Sequence, residues 1–216
     1  MKELKILHYD PDFLVINKPG GLLAVPGRGI NKQDCVVNRA KTLFPGCMEQ
    51  PAVHRLDMAT SGIMLLARNS RSHRRLSRQF ESRQVRKEYL AIVDGVITKK
   101  QGSIELAFRL DPDNRPHQIY DPLHGKTGLT HWEKLESTQG KTLIRFTPVT
   151  GRTHQLRLHA SHPKGLGVPI VGDFLYGNAE DGATMFLHAS RLFFLHPENG
   201  KGLEFNSSPP WLPMVQ

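Results

Sequence analysis

The sequence has little of what a membrane protein or a disulfide-bonded scaffold requires. Its two cysteines, Cys35 and Cys47, form neither a CxxC pair nor a disulfide framework. No stretch approaches the run of about 18 apolar residues that a transmembrane helix needs. The N-terminal segment carries charges throughout, which excludes a secretory signal peptide. We therefore expect a soluble protein of the reducing cytoplasm, with no membrane partner.

The motifs of nucleotide and metal sites are also missing. Neither GxxxxGK[ST] nor GxGxxG occurs, so no nucleotide cofactor is implied. His154, His159 and His162 lie at i, i+5 and i+8, whereas helical zinc ligands are usually three or four residues apart, and no HExxH or cysteine partner accompanies them. We predict no metal and no cofactor, and we set aside a metal-dependent RNA hydrolase.

What the sequence has in excess is positive charge. Its 216 residues include 29 Lys and Arg against 20 Asp and Glu, a net charge of +9 and an isoelectric point near 9.8. Such a balance describes partners rather than fold, and a polyanion such as nucleic acid is the natural partner. A generic basic surface would produce the same composition, so charge alone leaves both interpretations open.

Local patterns predict an α+β protein. Alternating or continuous apolar runs predict strands at 4–9, 13–17, 62–68, 87–93, 129–135 and 141–146, with two or three more between 185 and 205. Helices are predicted over 35–43, from Asn69 or Ser70 to about Arg83, and over 153–161. The segment 102–126, rich in Pro, Asp and His, is predicted to be the least regular. We expect one domain over residues 1–216, on a mainly antiparallel, twisted mixed sheet with flanking helices.

The stretch His54–Gly62, HRLDMATSG, is the most informative motif. It places His, Arg and Asp within four residues, in a loop before the apolar run GIMLLAR. Loops that rigid strands hold in place are where catalytic groups concentrate, which makes Asp57 a candidate carboxylate. Asp, Thr, Ser and Gly are also turn formers, so local composition taken alone favours a turn or capping role for Asp57.

Several blocks of the sequence resemble the RluA family of pseudouridine synthases, in the order in which that family has them. They are NKPGGLLAVPG, HRLDMATSGIMLLA, RKEYLAIV, PVTGRTHQLRLH and FLHASRL. The segment 113–130, DNRPHQIYDPLHGKTGLT, further resembles the NRP…GK segment of the RluA subgroup, the dual-specificity type for ribosomal and transfer RNA. The resemblance implies a pseudouridine-synthase-like catalytic domain that isomerises uridines in structured RNA without a cofactor.

The resemblance also implies catalytic roles. Asp57 matches the family's essential carboxylate, which acts either as nucleophile at C1′ or by promoting a glycal-like intermediate. Tyr89 matches the active-site Tyr, which stacks on the uracil and can carry a proton at C5. Arg157 matches the basic residue that pairs with the catalytic Asp. Without the resemblance, Tyr89 would be ordinary strand packing and Arg157 a surface helical residue.

Roles in RNA binding follow in the same way. Arg55 matches the residue that the family inserts or stacks where the target base leaves its helix; its alternative role is a salt bridge that shapes the loop. An arginine-rich helix is predicted to contact the RNA backbone, although a solvated helix face explains the same residues. Leu156 and Leu187 match apolar pocket-lining positions, or belong simply to the core. The predicted backbone-contacting residues are Arg71, Arg74, Arg75 and Arg78.

A non-catalytic RNA-binding or RNA-chaperone protein of the same fold is the alternative function. The presence of Asp57, Tyr89 and Arg157 within their motifs favours an active enzyme. The chain starts directly at the catalytic domain, without the N-terminal S4-type module that many relatives carry, so recognition is expected to rest on this domain. We expect a monomer that acts on ribosomal and/or transfer RNA stem-loops and not on DNA.

Overall fold

A computed structural model describes residues 4–212 and divides the chain into two compact units. The first unit takes in the chain up to Lys87 and again from His188 onward, and the second unit takes in Glu88–Leu187. Within residues 4–212 no helix is both long and apolar enough to cross a membrane. The two units differ in strand order and in charge.

The first unit is built on five strands in the spatial order β1-β2-β3-β9-β10, in which β3 and β9 run parallel and the other neighbours antiparallel. The strands are β1 (Lys5–Tyr9), β2 (Phe13–Lys18), β3 (Ser61–Ala67), β9 (Leu187–Leu195) and β10 (Gly202–Asn206). The helices are α1 (Val36–Leu43), α2 (Ser70–Glu81) and a short 3-10 turn at Ile30–Lys32.

Local chemistry explains the ends of these elements. Asp10 accepts a hydrogen bond from the Asp12 backbone N–H (2.8 Å), which forms the turn between β1 and β2. The Asn69 side chain accepts from the Ser72 N–H (2.9 Å) and so caps α2. Every residue of β3 is buried, as a central strand requires. Leu76 of α2 packs into the same core.

The second unit is an antiparallel sheet with strand order β4-β8-β7-β5-β6. Its one named helix among the described residues is α3 (Gln155–Ser161), which follows β8 after a short loop. The strands are β4 (Arg86–Val93), β5 (Gln101–Leu110), β6 (Gln118–Tyr120), β7 (Lys126–Thr138) and β8 (Lys141–Pro148).

The predicted α+β class, on a mainly antiparallel mixed sheet with few helices, is confirmed. The prediction that 102–126 is the least regular segment is wrong, because β5 covers residues 101–110. Ile104, Leu106 and Phe108 alternate along it and are all buried, which is the period-two pattern of a strand. The Pro- and Asp-rich composition belongs to the turn that follows β5 and does not describe the strand itself.

Candidate active site

The loop that carries Asp57 is fastened to β3 and α2 on its N-terminal side. His54 Nε2 accepts a hydrogen bond from the Leu65 N–H (2.9 Å), and its ring stacks on Phe80 with centroids 4.6 Å apart. Burial, with a smaller effect of Lys87, lowers the pKa of His54 to about 3. The imidazole is therefore neutral, and because Nε2 accepts, Nδ1 carries the proton. His54 acts as an anchor for the loop.

A buried lysine fastens the same loop on its C-terminal side. Lys18 is fully buried, and its ammonium donates to the carbonyls of Pro19 (2.9 Å), Leu22 (2.6 Å) and Met58 (2.9 Å). Three N–H groups meet three acceptors, so the charged form is fully satisfied. Burial lowers the pKa of Lys18 to about 7, and the negative charge of Asp57 opposes that shift. Asp57 itself is half-buried, and the Lys18 ammonium is bound to the neighbouring residue of its loop, Met58.

The end of the motif is fixed by a hydrogen-bonded chain of three buried or part-buried side chains. Ser61 Oγ lies 2.8 Å from His188 Nδ1, and His188 Nε2 lies 3.1 Å from Ser207 Oγ. Burial lowers the pKa of His188 to about 4. Gly62 has φ of 113°, and a Cβ there would lie 2.4 Å from the Ala189 carbonyl oxygen. The Ser-Gly pair of the motif is thus required by the close parallel approach of β3 and β9.

The four arginines of α2 divide into two pairs. Arg71 and Arg75 form ion pairs with Glu198 in the β9–β10 connection (2.9 and 3.1 Å). Arg74 and Arg78 are exposed and make no ion pair within the described part of the chain. The two pairs therefore differ in their ion pairing with Glu198 rather than in exposure alone, since Arg71 is exposed as well.

Arg55 is exposed, on the Asp57 loop, and forms no ion pair within residues 4–212. The predicted alternative of a loop-shaping salt bridge therefore finds no partner among the described residues. The next residue, Leu56, is buried, so the loop exposes Arg55 to solvent and places Leu56 in the core. The base-replacing role of Arg55 stays a prediction.

The remaining predicted residues lie in the second unit, whose last residue, Leu187, is also the first residue of β9. Tyr89 is half-buried on β4, opposite Phe146 of β8. Leu156 and Leu187 are 7% and 2% exposed, as either pocket walls or core residues would be. Arg157 is 2% exposed, which excludes the surface helical arginine that its sequence environment alone would predict.

Arg157 is held by a motif that the sequence analysis did not single out, the segment 172–177, GDFLYG. Arg157 Nε and Nη2 donate to the two carboxylate oxygens of Asp173 (2.7 and 2.5 Å), and Asp173 is 1% exposed. The guanidinium also lies over the rings of Phe174 and Tyr176. A Gly-Asp pair that is followed three residues later by a Tyr-Gly pair would have indicated a tight structured turn, but not the partner of its Asp.

One cluster of possible metal ligands among the described residues makes hydrogen bonds within the protein. Within residues 4–212, Asp10, Asp12 and His196 bring possible ligand atoms within 4.8 Å of one another. Asp12 Oδ1, however, accepts from Asn69 Nδ2 (2.8 Å) and Ser72 Oγ (2.9 Å), which secures the start of α2. The contacts of Asp12 therefore explain this cluster as a support for the start of α2.

The three histidines within and next to α3 have separate contacts. His154 is hydrogen bonded to the Tyr176 hydroxyl (2.9 Å), His159 is buried edge-on to Phe108, and His162 accepts from the Lys164 N–H (3.1 Å). Burial lowers the pKa of His159 to about 4. These contacts give the three side chains structural roles.

Comparison with known proteins identifies the class. The sequence profile of the RNA pseudouridylate synthase family matches residues 12–162, which include the Asp57 loop, Tyr89 and Arg157. The chain therefore belongs to this family, whose members are isomerases.

Curated relatives and solved structures extend the match to nearly the whole chain. The dual-specificity RNA pseudouridine synthase RluA of Pasteurella multocida is 42% identical over 95% of this chain and 93% of its own length. The protein of the same name from Escherichia coli is 38% identical over 94% and 92%. The solved structure of human RNA pseudouridylate synthase domain containing 1 is 30% identical, covers 100% of this chain and 87% of its own, and has a TM-score of 0.78. The similarity is therefore to RluA-type synthases, and the non-catalytic alternative is not favoured.

Proposed function

We propose that this protein converts specific uridines in ribosomal and/or transfer RNA stem-loops to pseudouridine, with Asp57 as the catalytic carboxylate and no cofactor. The observation that carries the proposal is the fixation of the Asp57 loop, by His54 on one side and by the Lys18 contact to Met58 on the other. A carboxylate that starts glycosidic bond cleavage must be held at its target atom, and such anchoring provides that. The names of the relatives support the RNA substrates.

The reaction breaks the bond between N1 of the uracil and C1′ and forms a bond between C5 and C1′. Asp57 either attacks C1′ to form an ester that C5 of the rotated base then displaces, or removes the C2′ proton to form a glycal, and that proton returns to C2′ when C5 attacks C1′. The rejoined base then loses its C5 proton and N1 gains one, so the product is an isomer of the substrate. Tyr89 is proposed to stack on the uracil and to carry that proton, and Leu156 and Leu187 to line the pocket. Arg157 is proposed to keep the catalytic carboxylate ionised.

The decisive experiment replaces Asp57 by Asn, which keeps the shape and removes the charge. RNA prepared from cells that lack the protein is incubated with each variant, and pseudouridine is detected by carbodiimide labelling with primer extension. We expect no product from Asp57→Asn, with RNA affinity and thermal stability close to those of the wild type. Normal turnover by this variant would overturn the proposal. The same assay on separated ribosomal and transfer RNA identifies the substrate.

For RNA binding we propose Arg55 as the residue that fills the place of the extruded base, and the exposed face of α2 as a contact to phosphates. Arg55→Ala is expected to reduce turnover strongly and affinity mildly, because it acts after docking. Unchanged kinetics would remove this role. Arg71 and Arg75, whose charges are partly neutralised by Glu198, are expected to contribute less than Arg74 and Arg78. A cytoplasmic location and a monomeric state complete the proposal.

A further inference from the structure

Segment 172–177 contacts Arg157 through one carboxylate and two aromatic rings. Asp173 takes the Nε and Nη2 hydrogens of the guanidinium in a two-point contact (2.7 and 2.5 Å). Both side chains are buried, so water does not compete for these hydrogen bonds. A two-point contact fixes the plane of the guanidinium as well as its position, because each oxygen meets its own N–H.

Asp173 is in turn fixed by its own backbone. Its Oδ1 also accepts from the N–H groups of Leu175 (2.9 Å) and Tyr176 (3.1 Å). The turn that allows this needs both flanking glycines. A Cβ on Gly172 would lie 2.0 Å from the Thr184 carbonyl oxygen, and one on Gly177 would lie 2.7 Å from the Asp173 carbonyl oxygen. The carboxylate therefore has little freedom to follow Arg157 if that side chain moves.

Tyr176 restrains Arg157 from a second direction. The guanidinium carbon lies 5.3 Å from the centroid of the Tyr176 ring, a cation–π distance. The Tyr176 hydroxyl accepts from the Gln118 N–H (2.8 Å) and is hydrogen bonded to His154 Nδ1 (2.9 Å). Since both neighbours belong to other elements, the ring is locked in place.

We infer that Asp173 and Tyr176 are positioning residues for the isomerisation, acting through the orientation of Arg157. Because Asp173 occupies the edge formed by Nε and Nη2, it determines the direction in which the edge carrying Nη1 points. This inference rests on the proposed catalytic role of Arg157. If Arg157 acts on the charge of the reacting groups, a loosened guanidinium slows the chemical step and leaves RNA affinity unchanged.

The test is a double-mutant cycle on the single-turnover rate constant, with RNA from cells that lack the protein and with enzyme in excess. We expect Asp173→Asn to lower the rate constant roughly 100-fold, as a displacement of about 1 Å of a reacting group does. In an Arg157→Lys background, where no two-point contact exists, Asp173→Asn should add little further loss. Tyr176→Phe keeps the ring and loses the hydroxyl contacts, so its loss should be smaller, and it remains a test if Asp173→Asn does not fold.

The matched control is Asp121→Asn. Asp121 also accepts two backbone N–H groups and pairs with Arg109, but it lies outside the contacts of Arg157. We expect a wild-type rate constant from it. If Arg157→Lys is slow while Asp173→Asn and Tyr176→Phe react at the wild-type rate, the positioning inference is wrong and the proposed function stands. If Arg157→Lys also reacts normally, the role proposed for Arg157 itself is wrong.

Discussion

The two units of the chain differ in net charge and in the exposure of the arginines for which we propose a function. The first unit carries 18 Lys and Arg against 9 Asp and Glu, which is the entire net charge of +9, whereas the second carries 11 against 11. In the first unit Arg55, Arg74 and Arg78 are exposed. In the second, Arg157 is buried against Asp173. Exposed cations attract a polyanion and a buried, paired cation defines a direction, so we propose that these arginines serve binding in one unit and geometry in the other.

The largest effect is expected where the buried pair of the second unit is broken. Arg157→Met leaves Asp173 charged and buried without its partner, which should lower the free energy of unfolding by about 3–5 kcal/mol. The matched control is Arg145→Gln on the half-exposed pair with Glu133, where a loss of at most about 1 kcal/mol is expected. Urea unfolding measures both. Equal losses in the two variants would contradict the contrast between buried and exposed pairs.

The first unit depends on histidines that are neutral when folded. Burial lowers the pKa of His54 to about 3 and that of His188 to about 4 from an ordinary value of 6.5. Below pH 6.5 these histidines are protonated in the unfolded chain, whereas the folded chain does not take up the protons until pH 4 or lower. The free energy of unfolding therefore decreases as the pH is lowered. Each histidine should cost about 1.4 kcal/mol per pH unit in this window.

Urea unfolding at pH 7.5 and 5.5 checks this dependence. His188→Gln removes one titrating group. The decrease in the free energy of unfolding between pH 7.5 and 5.5 should therefore be about 1.4 kcal/mol smaller than in the wild type. A variant with the pH dependence of the wild type would show that His188 is not neutral in the folded protein.

An effect of similar size is expected at the contact of β3 with β9. Gly62→Ala places a Cβ 2.4 Å from backbone atoms that cannot move aside, which should cost roughly 1–3 kcal/mol. Gly140→Ala has a similarly positive φ of 76° but nothing within 4 Å, so it reports backbone strain alone, about 1 kcal/mol. Thermal unfolding should show the larger shift for Gly62→Ala, and the reverse order would contradict the close-approach explanation.

The smallest effect concerns Glu198, which neutralises one face of α2. Glu198→Gln removes two surface ion pairs, with Arg71 and Arg75, and should change stability by less than about 1 kcal/mol. It should also strengthen RNA binding slightly at low salt, since two more cations become available to phosphates. Weaker binding, measured by filter retention, would show that Glu198 organises the RNA-contacting surface instead.

Local sequence patterns predicted much of the fold but not the long-range partners. The apolar run of β3 and the Asn69 cap of α2 were readable because each depends on neighbours in sequence. The pairing of Arg71 and Arg75 with a glutamate more than a hundred residues away was not, so four arginines looked alike. Asp173 was missed for the same reason, since its partner lies on another element.

The candidate site shows the same limit. The motif around Asp57 and the resemblance predicted which residues to consider, whereas their supports, Lys18 and His188, act through burial that composition does not reveal. The expectation of a single domain over residues 1–216 stays a prediction.

The central claim, that exposure and pairing decide what each arginine does, is tested most directly by comparing two variants on the RNA fraction that the wild type modifies. The salt dependence of Kd and the single-turnover rate constant at saturating enzyme are measured for each. Arg74→Gln/Arg78→Gln should reduce the slope of log K against log salt by roughly 1–2 with an unchanged rate constant. Arg157→Lys should lower the rate constant with an unchanged slope. A slope that changes only for Arg157→Lys, or a rate constant that falls only for the α2 double variant, would contradict the account.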